Sequence, residues 1–141
     1  MIIVPFHPDH LDALLLQPAQ AYMRAFLSHP GYGQALAIPG KAFSALDGDT
    51  VLGCAGILPL WESRAEAWAL FGGDLKRHFV QIHRATLRFL DACPIRRIEA
   101  TCDAGFCDAK RWIELLGFAY EGPLRAYTPD GRDALRYARI R

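Results

Sequence analysis

Residues 65–93, AEAWALFGGDLKRHFVQIHRATLRFLDAC, decide the fold. Residues 66–71 are aromatic and aliphatic, a composition that suits a pleated, half-buried surface and predicts a strand. Gly72 and Gly73 break the run, and Asp74 is an expected N-cap for the helical segment beyond it. From Phe79 onward the apolar residues return at helical spacing, at Phe79, Ile82, Leu87, Phe89, Leu90 and Cys93. Gln81, Arg84, Arg88 and Asp91 fall on the opposite face, which predicts a long amphipathic helix. Lys76, Arg77 and His78 crowd its start. Free backbone N–H groups, the positive end of the helix dipole and fixed cations together predict an anion site there.

The chain has 141 residues, the length of one ordinary domain, and a single domain over 1–141 is expected. A compact chain of this size hides roughly 70% of the surface it exposes unfolded, so a core needs no staples. Hydrophobic residues make up 52%, which argues against disorder. The net charge is +1, so no general pull toward nucleic acid or an acidic membrane is expected, and any basic site must be local. Cys54, Cys93, Cys102 and Cys107 make no C-x-x-C pair and lie at no zinc-finger spacing from a histidine. They are expected to be buried, reduced thiols, with no metal site. Met1-Ile2-Ile3-Val4-Pro5 lacks a basic leader, and no run approaches the ~20 apolar residues of a membrane helix. A cytoplasmic protein is the expectation.

From the start, residues 2–6 predict a strand that Pro5 places at an edge or ends early. Asp9 is expected to cap a helix through Leu11, Leu14 and Leu15, and Pro18 to open a second through Tyr22, Met23, Phe26 and Leu27. Residues 32–40 show no period and are expected to be a loop. Residues 41–46 and 50–60 predict a hairpin turned by Asp47-Gly48-Asp49. Gly53 and Gly56 predict a bulge or a close backbone approach within it. After the central helix come a strand at 97–102 and a helix at 107–116 with Trp112, Leu115 and Leu116 inward. Gly117 is the expected C′ residue of that helix, with Phe118 folding back on it. A last hairpin runs through 120–127 and 135–140, turned at 128–131. The class is α+β, in the order β-αα-βββ-α-β-α-ββ.

That order, with Ala109 followed by Leu116-Gly117-Phe118, resembles the GNAT superfamily of acetyl-CoA-dependent N-acetyltransferases and its A-x-x-L-Y-x-x-L-G-F signature. The resemblance covers most of the chain. It implies a mixed, mostly antiparallel central sheet flanked by helices. It also implies an acetyl-CoA site in which the backbone of the fourth strand, at Leu70 and Phe71, bonds the pantetheine arm. Lys76, Arg77, His78 and Phe79 would then hold the pyrophosphate. More loosely, the chain is similar to divergent GNAT-like proteins encoded in phage genomes and prophages. Three positions depart from the pattern. No glycine comes after Gly73 in the loop, Ile113 stands where the family often has a tyrosine, and Phe106 where it often has an asparagine.

Acetyl transfer to an amine needs a base for the ammonium proton and an acid for the departing thiolate. Glu66, on the fourth strand, is the expected base, with Glu62 and Glu99 as weaker candidates. Tyr120 is the expected replacement for the missing phenol, with Tyr127 as the other option. His83 falls in the middle of the apolar stripe, as a core histidine or a base facing a cleft. Trp61, Trp68 and Trp112 are expected in the core or lining a groove. Two functions are compatible with these residues. One is an acetyltransferase acting by direct attack in a ternary complex on a small-molecule amine or a protein amino group. The other is a non-catalytic binding or structural protein, such as a phage virion or host-interaction component, with a degenerate cofactor site. A homodimer is expected if the strand at 135–140 lies at an edge.

Overall fold

The computed structural model describes residues 1–141. Its strands are β1 Ile2–Pro5, β2 Ala42–Asp47, β3 Thr50–Trp61, β4 Arg64–Phe71, β5 Arg97–Asp103, β6 Ala119–Leu124 and β7 Ala134–Ile140. They form one seven-stranded sheet in the order β1-β2-β3-β4-β5-β7-β6. The helices are α1 Asp9–Ala13, α2 Arg24–Leu27, α3 Tyr32–Leu36, α4 Phe79–Ala92 and α5 Cys107–Leu115, with 3-10 helices at Pro18–Met23 and Leu75–His78. This is the expected α+β class, a mixed and mostly antiparallel sheet with helices. No helix is long and apolar enough to cross a membrane. The chain divides into two compact units, Met1–Leu58 with Trp68–Arg84, and Pro59–Ala67 with Ala85–Arg141.

In the first unit β1 pairs antiparallel with β2, from Ile2↔Leu46 to Pro5↔Phe43. β1 is the end strand of the sheet, where the missing N–H of Pro5 is tolerated. The β2–β3 hairpin closes at Asp47↔Thr50, with Gly48 at φ 58°. Glycine takes that left-handed conformation without steric penalty. A Cβ at Gly56 would lie 2.5 Å from the Lys41 carbonyl oxygen, so the expected close approach is real. Phe6, Leu11, Leu14, Leu27, Leu36, Val51 and Leu70 form the apolar core of this unit.

Three local expectations are corrected here. Helix α1 ends at Ala13, Leu14 is extended, and Leu15 is 82% exposed. Asp9 lies inside α1 rather than capping it. Residues 32–40 are not all loop, because α3 occupies Tyr32–Leu36. It is too short to show a period; Gly31 at φ 82° opens it, and Leu36 is buried in the core.

In the second unit β4 pairs in parallel with β5, Arg64↔Arg97 through Glu66↔Glu99. β5 and β6 each pair antiparallel with β7. β7 therefore lies between two strands and is no edge, which removes the expected dimerisation through 135–140. Its core includes Leu90, Ile98, Ala100, Ile113, Leu116, Phe118 and Tyr137. Gly117, at φ 87°, and the Phe118 N–H donating to the Ile113 carbonyl at 3.2 Å close α5 as expected. The rotation of α5 differs from the expectation. Ile113 faces inward, while Leu115 is 64% exposed. Residues 113 and 116 share a helix face, and residue 115 lies some 100° away from 116. Cys54 and Cys93 are buried, whereas Cys102 is half-buried and Cys107 exposed; all four are free thiols.

A polar chain crosses the first unit's core. Ser44 Oγ, 1% exposed, lies 2.8 Å from His10 Nδ1 and 3.4 Å from Cys54 Sγ. The His7 backbone N–H donates to the same Nδ1 at 3.1 Å, so that nitrogen is an acceptor. Burial, then His7, lowers the His10 pKa from 6.5, against a smaller opposing pull from Asp9. Burial pushes the Cys54 thiol up to about 11. The folded chain thus prefers neutral His10. Its contribution to stability is present above pH 6.5 and is lost as pH falls below that value. We expect the urea midpoint to fall between about pH 7.5 and pH 5.5. The fall should be smaller in His10→Asn, which keeps an acceptor; an equal fall in both proteins would remove His10 as its source.

Candidate functional site

The outer edge of β4 is the first part of the site. Along a strand, successive residues turn their N–H and C=O to opposite sides. The Gly72 N–H donates to the Leu52 carbonyl of β3 at 2.9 Å, and the Leu70 carbonyl lies against Gly53 of the same strand. Leu70 and Gly72 therefore face β3, and Ala69 and Phe71 face the other way. The Leu70 backbone, where a ligand contact is expected, is turned toward β3, and the outward groups on this edge are those of Ala69 and Phe71.

The outward groups are satisfied from within the unit. The Phe71 N–H donates to Gln20 Oε1 at 2.9 Å, and Gln20 Nε2 donates to the Ala69 carbonyl at 2.9 Å. The Gln17 N–H donates to the Phe71 carbonyl at 2.9 Å. Gln17 Nε2 also donates to Gln20 Oε1 at 3.0 Å. One side-chain amide thus makes both hydrogen bonds that a neighbouring strand would make at this position. Trp68, next along β4, packs edge-on against Phe6 at 5.4 Å and buries its Nε1 without a partner.

The loop after β4 is the second part. Asp74 makes no side-chain cap, and residues Leu75–His78 form a 3-10 turn before α4 begins at Phe79. Arg77 Nη2 and His78 Nε2 each lie 3.1 Å from one oxygen, Asp47 Oδ2, in the β2–β3 hairpin. The hydrogen bond to His78 holds the Asp47 carboxyl below its usual range, and Arg77 adds to this. Lys76 is exposed, and Phe79 stacks on His83 with ring centroids 6.1 Å apart. His83 is half-buried on the apolar stripe, with Gln81 and Arg84 exposed as expected.

In the second unit Glu66 belongs to a network of three arginines and three glutamates. Arg64 grips Glu99 with Nε and Nη2, each at 2.8 Å, and its guanidinium carbon sits 4.5 Å from the centre of the Trp61 ring. Arg97 Nε donates to Glu99 Oε1 at 2.8 Å and also pairs with Glu121. Arg136 Nη1 donates to Glu66 Oε2 at 2.7 Å and to Glu99 Oε2 at 2.9 Å. Thr101 Oγ1 donates to Glu66 Oε1 at 3.4 Å, so that oxygen is the less engaged of the pair. Glu99 is 4% exposed, and the Arg64 hydrogen bonds, then those of Arg97, hold its carboxyl down to about 2 despite burial. It is a structural anion, not the alternative base.

Tyr120 lies elsewhere. It pairs with Tyr137, and the two rings meet edge-on at 5.6 Å. Tyr137 Oη donates to Glu114 of α5 at 3.3 Å. Register puts Glu66, Glu99 and Ala138 in one cross-strand row and Tyr120, Tyr137 and Ala100 in the next. Adjacent rows project to opposite faces of a sheet. Glu66 and Tyr120 therefore cannot serve one reacting centre, and the expected pair is corrected on that ground. Tyr127 and Trp61 are exposed, and Ile113, in the tyrosine position of the signature, is 9% exposed.

Gln20, Ala69 and Arg136 escape a reading of the sequence alone. The hydrogen-bonding parity of β4 requires its register against β3, and Gln20 reaches across 49 residues to Ala69. Asp47 is legible as a turn residue, not as the partner of Arg77 and His78.

No family model and no curated protein sequence matches this chain. Solved structures do. The ribosomal-protein-S18-alanine N-acetyltransferase from Escherichia coli superposes with a TM-score of 0.73 at 18% identity, over 99% of this chain and 92% of its own. An acetyltransferase of the GNAT family from Bacillus anthracis gives 0.63 at 17% identity, over 98% and 93%. An aminoglycoside 6'-acetyltransferase type Ii gives 0.72 at 15% identity, over 99% and 97%. At these identities the likeness is one of fold.

The buried carboxylate gives a prediction about stability. Glu99→Gln leaves the guanidinium groups of Arg64, Arg97 and Arg136 without their shared anion. We expect a loss of about 3 kcal/mol in chemical denaturation at pH 7, typical of breaking one side of a buried ion pair. The folded-state pKa of Glu99 is depressed, so its contribution is present above pH 4.5 and is lost as pH falls toward about 2. Wild-type stability in the variant would show that the arginines are solvated without it.

Proposed function

We propose that this chain, which has the fold of the GNAT acetyltransferases, is an acyl-CoA-dependent N-acetyltransferase acting on a small amine or a protein amino group. The observation that carries this reading is the run from the outer edge of β4 into the cationic turn before α4. The Ala69 carbonyl and the Phe71 N–H and carbonyl offer the alternating acceptor and donor pattern that an extended amide chain pairs with. Lys76, Arg77 and His78 come directly after in sequence, and cationic side chains at a helix start suit a pyrophosphate. The residues thus fit the cofactor in chemical type, with their present partners drawn from the chain itself.

Acetyl-CoA would supply the activated acetyl thioester. Glu66 is the proposed base. Arg136 fixes one of its oxygens, which orients the carboxylate and leaves Oε1 to take a proton from the substrate ammonium, so that the free amine attacks the thioester carbonyl. Direct attack needs no covalent enzyme intermediate, so no nucleophilic side chain is required. Tyr120 is withdrawn as the acid because it projects from the other face.

A second reading, a non-catalytic binding protein on this fold, is favoured by one observation. The signature's phenol position is filled by Ile113, which is buried in the core. Calorimetric titration with acetyl-CoA and with free CoA separates the two. Micromolar binding with a matching thermal shift supports the enzyme, and no binding at millimolar cofactor supports the binding protein.

Two variants test the assignments. Lys76→Ala with Arg77→Ala should weaken acetyl-CoA about tenfold or more, from lost charge-assisted contacts. Unchanged affinity would remove the loop from the site. Glu66→Gln should lower kcat about a hundredfold at unchanged cofactor affinity. Wild-type turnover in that protein would end its candidacy as base.

A further inference from the structure

Resting on that cofactor reading, we infer that the chain occludes its own cofactor site with two surrogate groups. The Gln20 carboxamide stands where an amide of the ligand would pair with β4, and the Asp47 carboxylate stands where a ligand phosphate would meet Arg77 and His78.

The first surrogate matches in donor and acceptor alike. A strand partner bonds the carbonyl of one residue and the N–H of the residue two further on. Gln20 does both with one planar amide, taking the Ala69 carbonyl and the Phe71 N–H at 2.9 Å each. A group that displaces it must carry a donor and an acceptor together, because an unpaired backbone group shielded from water is costly. A secondary amide does so, whereas a hydrocarbon or a lone carboxylate does not. The second surrogate matches in charge. A single oxygen of Asp47 takes both the Arg77 and the His78 contacts at 3.1 Å, as one phosphate oxygen could.

Both surrogates sit on elements suited to release. Gln20 belongs to the 3-10 helix Pro18–Met23, which has no buried residue. Such helices have poorer hydrogen-bond geometry than α-helices. It is tethered at its far end by Arg24, whose guanidinium donates to the Leu11 carbonyl at 3.1 Å and to the Leu14 carbonyl. With Met23 packed against the core and Arg24 anchored, release of Gln20 from β4 needs rotation of its side chain rather than movement of the backbone. Asp47 ends β2 beside Gly48, its side chain is 37% exposed, and that of Arg77 is 79% exposed. Exchange of carboxylate for phosphate there needs side-chain rotation alone. Each exchange replaces like with like, so the occlusion reduces affinity without abolishing it. It also selects for ligands that present an amide and an anion at once.

The test is calorimetry on the full chain as wild type, Gln20→Ala, Asp47→Asn and the double variant. Each is titrated with CoA, with pantetheine and with ADP. Gln20→Ala should tighten pantetheine and CoA about tenfold and leave ADP unchanged; Asp47→Asn should tighten ADP and CoA by a similar factor and leave pantetheine unchanged. Amide exchange at Phe71 should be slow in wild type, fast in Gln20→Ala, and slowed again by CoA. If Gln20→Ala does not fold, Gln20→Glu keeps the acceptor for Phe71 and sets a carboxylate against the Ala69 carbonyl; the same direction is expected. Equal or weaker CoA affinity in the variants overturns the occlusion and leaves the cofactor reading standing. No CoA binding by any of the four proteins at millimolar concentration overturns both.

Discussion

A β-strand has two hydrogen-bonding edges, and a protein of this size cannot leave either one unpaired away from water. That constraint governs β4. Toward β3 the demand is met by strand pairing. On its other edge β4 pairs with β5 at Arg64, Ala65 and Glu66, and further along the demand is met at Ala69 and Phe71 by Gln20 and Gln17. The course of residues 14–23 is a consequence. Leu14 is extended, Leu16 makes an isolated antiparallel bridge to Gly72, and the chain then coils into a 3-10 turn that delivers Gln20 to the edge. A regular helix continued from α1 would have carried Leu15 inward and left Phe71 unpaired.

The second unit solves a different problem, that of charge beneath a sheet face. Glu99 is buried on β5 between β4 and β7, and its neighbours in the register are set to neutralise it. Arg64 and Arg136 reach it from the adjacent strands and Arg97 from its own. Three positive and three negative side chains close the network, so no net charge is carried inward. Such an arrangement is no surplus of stability over an apolar core, but the loss of its buried member, Glu99, is expensive. It also fixes the carboxylate of Glu66, since the same Arg136 nitrogen bonds both acids. Arg139 works similarly at the ends of helices, donating to the carbonyls of Leu90 and Leu116. There it meets groups that helix termini leave unpaired.

Most of the fold is legible in the sequence because its signals are local. The strand into α4, the Gly48 turn, the close approach at Gly56 and the Gly117 cap each arise from a few consecutive residues. The departures have two physical sources. Helices of four or five residues, such as α2 and α3, are too short for a period to develop, so α3 reads as loop. The turn of α5 that sends Leu115 outward depends on which side meets the sheet. The site is less legible still. Its residue types stand out at Glu66, Lys76, Arg77 and His78, but not their partners. Asp47, Gln20 and Arg136 make their contacts with residues 30 or more positions away in the chain. Strand parity, which turns Leu70 away and Ala69 outward, likewise emerges only once β4 has a partner.

The absence of glycine after Gly73 in the loop and the Asp47 contact belong together. A glycine-rich loop binds an anion with backbone N–H groups, which point at the ligand and carry no formal charge. Here the turn before α4 carries Arg77 and His78 instead, and mobile side chains can reach further than a backbone can. Both side chains take an acceptor from the chain itself. The β2–β3 hairpin supplies one at Asp47, placed there by the two-residue turn at Gly48 and Asp49. The same reasoning holds for β4, whose outer edge uses a side-chain amide as its resident partner. At both places the polar groups find their partners within the chain, so the fold keeps its shape with no ligand bound.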